Sequence, residues 1–289
     1  MKKWGFLICI ILIGYIVTQS TAALQQKEEL PIVMLDTDDK YMGYREATTQ
    51  EMEQQIHKGS LVLVNSEHPI HPKGVRSDIV YVADEEDLLL GYGLLDQKLM
   101  LSREVAERFQ EMVEAAGEEG VRYFLMSSGY RDFEKQDELY RQKGSDYALP
   151  AGYSEHNLGL SLDIGSSLAP MSDAPEGAWL EKNAWKYGFI LRYPKDKVNV
   201  TGIQYEPWHF RYVDMPHSAV MHKNQMVLEE YLEMLREKRD VSVDLNGITY
   251  DIHYYDVSKD AKIYLPENDA YDISGDNMQG VIVTVEKST

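Results

Sequence analysis

Two short stretches hold residues whose types and spacing could do chemistry. "YSEHNLGLSLDIG" (Tyr153–Gly165) sets His156 and Asp163 on either side of Gly159 in an otherwise largely apolar run, and "YEPWHFRYV" (Tyr205–Val213) carries Glu206 and His209. A hydrolytic zinc ion needs three protein ligands and one open position for water, and two histidines with one carboxylate are a common solution. His156, Asp163 and His209 supply that set. A carboxylate three residues from a ligand can reach the water at such a site and take its proton, which is the role that position gives Glu206. Negative charge that develops on an attacked carbonyl needs a positive group. Arg131, in "SSGYR" at the mouth of a strand-like run, is the candidate.

These residues converge only if the backbone bends between them. In an unbroken strand, His156 and Asp163 would point to opposite faces because their separation is odd. Gly159 and the preceding "HNL" offer the bend, so His156 belongs in a loop and Asp163 on the strand "LSLDI". The same parity problem separates Glu206 from His209, and Pro207 supplies the irregularity there. Around them the spacing predicts a helix over Ser102–Ala116, capped by Ser102, with Val105, Phe109, Met112, Val113 and Ala116 on one face and a stop at Gly117. A buried strand follows at Val121–Ser128, and a second helix begins after Arg131. A third helix covers about Pro175–Tyr187 with Gly188 as its stop. "FILRYP" and "WHFRYV" read as strands, and Met226–Lys238 as a periodic helix. Strands and helices mix without regular alternation, which points to an α+β fold: a small, mostly antiparallel sheet with flanking helices.

The 289-residue chain is long enough for a full core, and its net charge of −19 argues against nucleic acid or an anionic membrane surface as partners. Lys2 and Lys3, the apolar run Trp4–Val17 and the small residues near Ala22 and Ala23 read, over residues 1–24, as a cleaved signal peptide or an uncleaved anchor. Either would put the remainder outside the cytoplasm, with the membrane met only through this segment. Cys9, the only cysteine, lies inside it, so the rest uses neither disulfides nor thiolate ligands. Residues 25–60 are polar and read as a spacer, and 61–238 as the globular domain. "VSVDLNGITYDIHYY", two alternating runs around Asn246-Gly247, is a strong hairpin signal. With the later "GVIVTVE" it makes 241–289 a small β appendage that would be marginal alone. His57, His68, His71, His217, His222 and His253 read as hydrogen-bonded structural residues.

"SSGYRDFEKQ", "SEHNLGLSLDIG", "YGFILRYP" and "EPWHFRYV" occur in the order and spacing of the VanY-type D-alanyl-D-alanine carboxypeptidases, which this chain resembles over roughly 61–238. That zinc peptidase group also includes VanX-type dipeptidases, L,D-carboxypeptidases and the zinc domain of hedgehog proteins. The resemblance implies one zinc ion on His156, Asp163 and His209, with Glu206 as catalytic base. It implies that Arg131 meets the substrate's terminal carboxylate or the oxyanion, and that Gln136 and Ser154 contact substrate. Ser161 stands where relatives commonly have alanine, and the β appendage lies outside the shared domain.

The implied reaction is removal of the C-terminal D-alanine from peptidoglycan stem peptides or their precursors, in glycopeptide resistance or in ordinary wall trimming. Three rivals stand beside it. An L,D-carboxypeptidase would do the same chemistry on tetrapeptide stems. A non-catalytic wall-binding module would keep zinc for structure, but has no use for Glu206. An iron oxygenase would share the ligand set, but such sites place their first two ligands closer together.

Overall fold

The computed structural model describes residues 29–35, 43–144, 149–260 and 262–287. The segment read as a signal peptide or anchor lies outside them. Among the described residues no helix is long and apolar enough to cross a membrane.

In chain order the elements begin with β1 (Val33–Met34), β2 (Tyr44–Ala47), α1 (Thr49–Glu53), β3 (Ile79–Tyr81), β4 (Tyr92–Leu94) and β5 (Met100–Ser102). Next come α2 (Arg103–Glu118), β6 (Phe124–Ser128), α3 (Phe133–Lys143), β7 (Ser161–Ser166), α4 (Pro175–Asn183), β8 (Phe189–Leu191) and α5 (Val198–Thr201). Then follow β9 (His209–Tyr212), α6 (His217–Lys223), α7 (Leu228–Lys238), β10 (Asp240–Leu245), β11 (Ile248–Asp256), β12 (Ile263–Pro266), β13 (Tyr271–Gly275) and β14 (Gly280–Lys287).

The fold is α+β, as expected. The central sheet runs β4-β6-β7-β9-β8, antiparallel except for the β4–β6 pair. Helix α2 lays Val105, Phe109, Met112, Val113 and Ala116 into the core beneath this sheet, against Phe124, Leu160, Leu162 and Phe210. Its N-cap is Ser102, whose hydroxyl accepts from the Val105 amide. The helix passes through Gly117 and ends at Glu118, because the left-handed backbone that closes it falls at Gly120 (φ +86°). Helix α4 is continued by a 3₁₀ turn, Ala184–Tyr187, and Gly188 takes the left-handed conformation after it.

The second five-stranded sheet, β1-β10-β11-β14-β13, is antiparallel throughout. Asn246 and Gly247 both have positive φ at its hairpin, as a type I′ turn requires. This unit shares a core with the first. Tyr231, Leu232 and Leu235 of α7 pack with Val220, Met221 and Val213 from the central domain and with Val243, Ile252 and Ile282 from the sheet.

The expected spacer is corrected here. β1 pairs with β10, β2 pairs with β12, and α1 buries Met52 completely among Leu265, Val281 and Val283. Residues 33–34 and 44–53 are therefore part of the C-terminal β unit. A strap over residues 56–63 then carries the chain to the central domain. The Leu61 amide donates to Ser274 Oγ (2.8 Å), the Asn277 side chain donates to the Leu63 carbonyl (2.9 Å), and the Gly275 amide donates to the Lys58 carbonyl (2.7 Å). Gly275 permits this approach, since a Cβ there would stand 1.9 Å from the Ile56 carbonyl oxygen.

Candidate active site

Asp163 on β7 and His209 on β9 are register partners across the antiparallel pair, so their side chains share one face. His156 reaches the same point from a 3₁₀ turn, Glu155–Asn157, followed by Gly159 at φ +84°. That bend resolves the parity problem. A Cβ at Gly159 would also fall 2.4 Å from Ile79 Cδ1, so the position is doubly restricted. Glu206 comes close through a tight turn in which the His209 amide donates to the Glu206 carbonyl (3.2 Å), with Pro207 inside it. Its carboxylate lies 3.7 Å from His209 Nδ1.

The three predicted ligands form, among the described residues, a cluster fit for a metal. Asp163 Oδ1 is 3.4 Å from His156 Nε2 and 3.3 Å from His209 Nδ1, yet it makes no hydrogen bond. Two ligand atoms held about 2.05 Å from a tetrahedral zinc ion stand about 3.3 Å apart. The spacing therefore matches atoms that share a cation.

The far sides of the imidazoles are fixed by partners. His156 Nδ1 donates to the Gly129 carbonyl (2.7 Å), which leaves Nε2 as the free lone pair. His209 Nε2 lies 3.3 Å from Glu155 Oε2, which leaves Nδ1 for the centre. Such outer partners set the tautomer and orientation of metal-bound histidines.

Electrostatics agree with a cation at this point. Burial opposes ionisation of Asp163, but His156 and His209 hold its carboxyl well below the usual range. Burial, helped by Arg131, lowers the pKa of His156 and keeps it neutral. Burial also disfavours charge on His209, yet Asp163 and Glu155 on its two sides push its pKa up to about 9. A metal at Nδ1 would take the place of a proton there. Glu206 is raised, mainly by burial.

Arg131 is brought beside the cluster. Its amide donates to the His156 carbonyl (3.0 Å), and Asn157 Nδ2 donates back to the Arg131 carbonyl (2.6 Å), clamping the two loops together. Its half-buried guanidinium feels Asp163 and Glu206, and Nε has no hydrogen-bond partner. Gln136, buried on α3, donates to the Leu149 carbonyl (2.6 Å) and leaves Oε1 unpartnered. Ser154 is buried one residue before the ligand turn, and no hydrogen bond joins its side chain to the cluster.

Sequence reasoning missed the charged layer behind the ligands. Glu155, Arg192 and Arg211 have side chains at 0% exposure, with both guanidinium groups 2.8 Å from Glu155 Oε1. Arg192 also meets Glu229 of α7 (2.7 Å). Ser161, which stands where relatives commonly have alanine, donates to Glu155 Oε2 (3.1 Å). The available signal was an arginine in each of the two aromatic segments "FILRYP" and "WHFRYV", since such residues are buried only when paired. Tyr193 lies against His209, with ring centroids 4.9 Å apart.

The VanY family profile, described as D-alanyl-D-alanine carboxypeptidase, matches residues 98–215. A D-alanyl-D-alanine carboxypeptidase from Enterococcus faecium is 48% identical over 99% of this chain and 96% of its own length. The chain belongs to the VanY family of D-alanyl-D-alanine carboxypeptidases. Among solved structures, the vancomycin-resistance D,D-dipeptidase VanXYg, in complex with a D-Ala-D-Ala phosphinate analogue, is 27% identical with a TM-score of 0.69. It aligns over 89% of this chain and 100% of that one. A VanY D,D-pentapeptidase variant from the VanB-type resistance cassette, in complex with Zn(II), is 31% identical with a TM-score of 0.50. It covers 60% of this chain and 98% of its own. The VanY enzyme described here is thus a zinc D-Ala-D-Ala carboxypeptidase, and the ligand geometry above suits that metal.

Proposed function

We propose that this VanY enzyme trims the terminal D-alanine from peptidoglycan stem peptides with His156, Asp163 and His209 as metal ligands and Glu206 as the base. The observation that carries the reading is the trio of ligand atoms with the Glu206 carboxylate 3.7 Å from one of them. Bound zinc would polarise the scissile carbonyl and acidify the attacking water. Glu206 accepts that water's proton and later delivers it to the amine of the departing D-alanine. Arg131, with its unpartnered Nε, pairs with the substrate's terminal carboxylate or with the negative charge developing on the attacked carbonyl. Gln136, through its unpartnered Oε1, and Ser154 contact the peptide. No serine acyl-enzyme is needed, so the activity resists β-lactams and yields to chelators. The reaction takes place outside the cytoplasm, a reading supported by the basic and apolar N-terminal segment.

The test is mass spectrometry of the soluble chain from about Gln25 onward, incubated with zinc and a pentapeptide ending in D-Ala-D-Ala, beside a tetrapeptide ending in one D-Ala. Loss of a single alanine from the pentapeptide alone, abolished by Glu206→Ala, is expected. Loss from the tetrapeptide alone would reassign the enzyme as an L,D-carboxypeptidase. Zinc binding with neither peptide changed would favour the wall-binding module.

A further inference from the structure

The charged layer behind the ligands does more than fill space. Glu155 Oε2 faces His209 Nε2 at 3.3 Å, while Oε1 accepts from both Arg192 Nε and Arg211 Nη1 at 2.8 Å. Each arginine is anchored elsewhere. Arg192 forks onto Glu229 at 2.7 and 2.8 Å. Arg211 Nη2 donates to the carbonyls of Ser60 (2.8 Å) and Val62 (2.9 Å), in the strap whose Leu61 amide is held by Ser274 of the C-terminal sheet. The layer holds two carboxylates and two guanidinium groups, so its formal charge balances. A dry arrangement of this kind contributes little net stability compared with apolar packing. Its cost is justified by orientation: a paired, immobile carboxylate can hold one imidazole in one rotation.

We infer that Glu155 is a positioning residue for the metal centre, turning His209 so that Nδ1 faces the ion, and that Arg211 ties this carboxylate to the strap on the C-terminal β unit. The inference rests on the zinc reading above and concerns a residue outside the ligand set. It gives the β unit a part in the site without any contact with substrate, because the strap it holds supplies two of the carbonyls that fix Arg211.

The test measures zinc affinity by chelator competition on folded, metal-free full-length protein. Glu155→Gln keeps the shape and removes the charge. It is expected to bind zinc about 10- to 100-fold more weakly than wild type, the usual loss when such a partner is removed. Unchanged affinity in a folded variant whose metal-free melting temperature has fallen would mean a structural role only, and would overturn the inference. Wild type that fails to bind zinc would overturn the zinc centre as well, so the two failures are distinguishable. Should Glu155→Gln not fold, histidine-selective nitrogen NMR of zinc-loaded wild type decides. A slowly exchanging proton on His209 Nε2 with the metal on Nδ1 is expected, and metal on Nε2 would overturn the proposal.

Discussion

The two five-stranded sheets of this enzyme solve different problems with the same element. The central sheet gathers His209, Asp163, Arg211 and, through the turn before β7, Glu155 and His156 around one site, all but Asp163 buried. The C-terminal sheet fills its interior with Val241, Val243, Ile252, Val281 and Val283. One holds polar groups in defined directions, which requires each to have a partner. The other buries mainly apolar surface, which depends chiefly on alternation and volume. Damage to the first should therefore appear in chemistry and metal binding, and damage to the second in stability.

The largest effect should come from Glu206→Ala, with kcat on the pentapeptide lowered about 10³-fold or more while zinc stays bound. Retained activity in that variant would break the contrast at its centre. Removing the metal with a chelator should abolish activity reversibly. Zinc at about a thousand times its Kd should stabilise the protein by about 4 kcal/mol over the metal-free form, read from denaturant unfolding. In the C-terminal sheet, Ile252→Ala should cost about 4 kcal/mol of unfolding free energy and leave kcat of the folded protein within about twofold. A large loss of kcat there would show that the two sheets are not energetically separable.

The seam between them has its own pH signature. His217 is buried, with Nδ1 2.7 Å from the Tyr231 hydroxyl and Nε2 3.0 Å from Thr284 Oγ1 on β14. Burial lowers its pKa to about 4, with only partial opposition from Asp214. The native state thus refuses a proton that the unfolded chain accepts. The contribution is full above about pH 6.5 and is lost as pH falls toward 4, on the order of 3 kcal/mol. Urea midpoints across this window should fall more steeply for wild type than for His217→Gln. The smallest change, Gly247→Ala at φ +85°, should cost about 1 kcal/mol and leave activity untouched.

What could be read from the sequence follows the same division. The ligand trio was legible because histidine and aspartate interrupt apolar alternation, and Gly159 and Pro207 mark the bends that bring them together. The hairpin at Asn246-Gly247 was legible because the turn type demands those residues. Glu155 was not, because its partners Arg192, just past β8, and Arg211, on β9, come later in the chain and only the fold makes them neighbours. Nor were β1 and β2. Strands of two and four residues carry too little alternation to declare themselves, and their partners lie near the other end of the chain.

That last pairing bears on how the enzyme is made. Ala47 of β2 must find Ile263 of β12 across more than 200 residues, with the whole central domain in between. Such long-range closure is slow, because the entropy of joining the ends must be met before the contacts reward it. The central sheet is complete by Tyr212, whereas the strap's partners Ser274 and Asn277 come more than 60 residues later. The grip of Arg211 on Ser60 and Val62 is set on a strap whose own partners, Ser274 and Asn277, lie near the end of the chain, so a chain truncated before them is expected to lose the frame that aims its ligands.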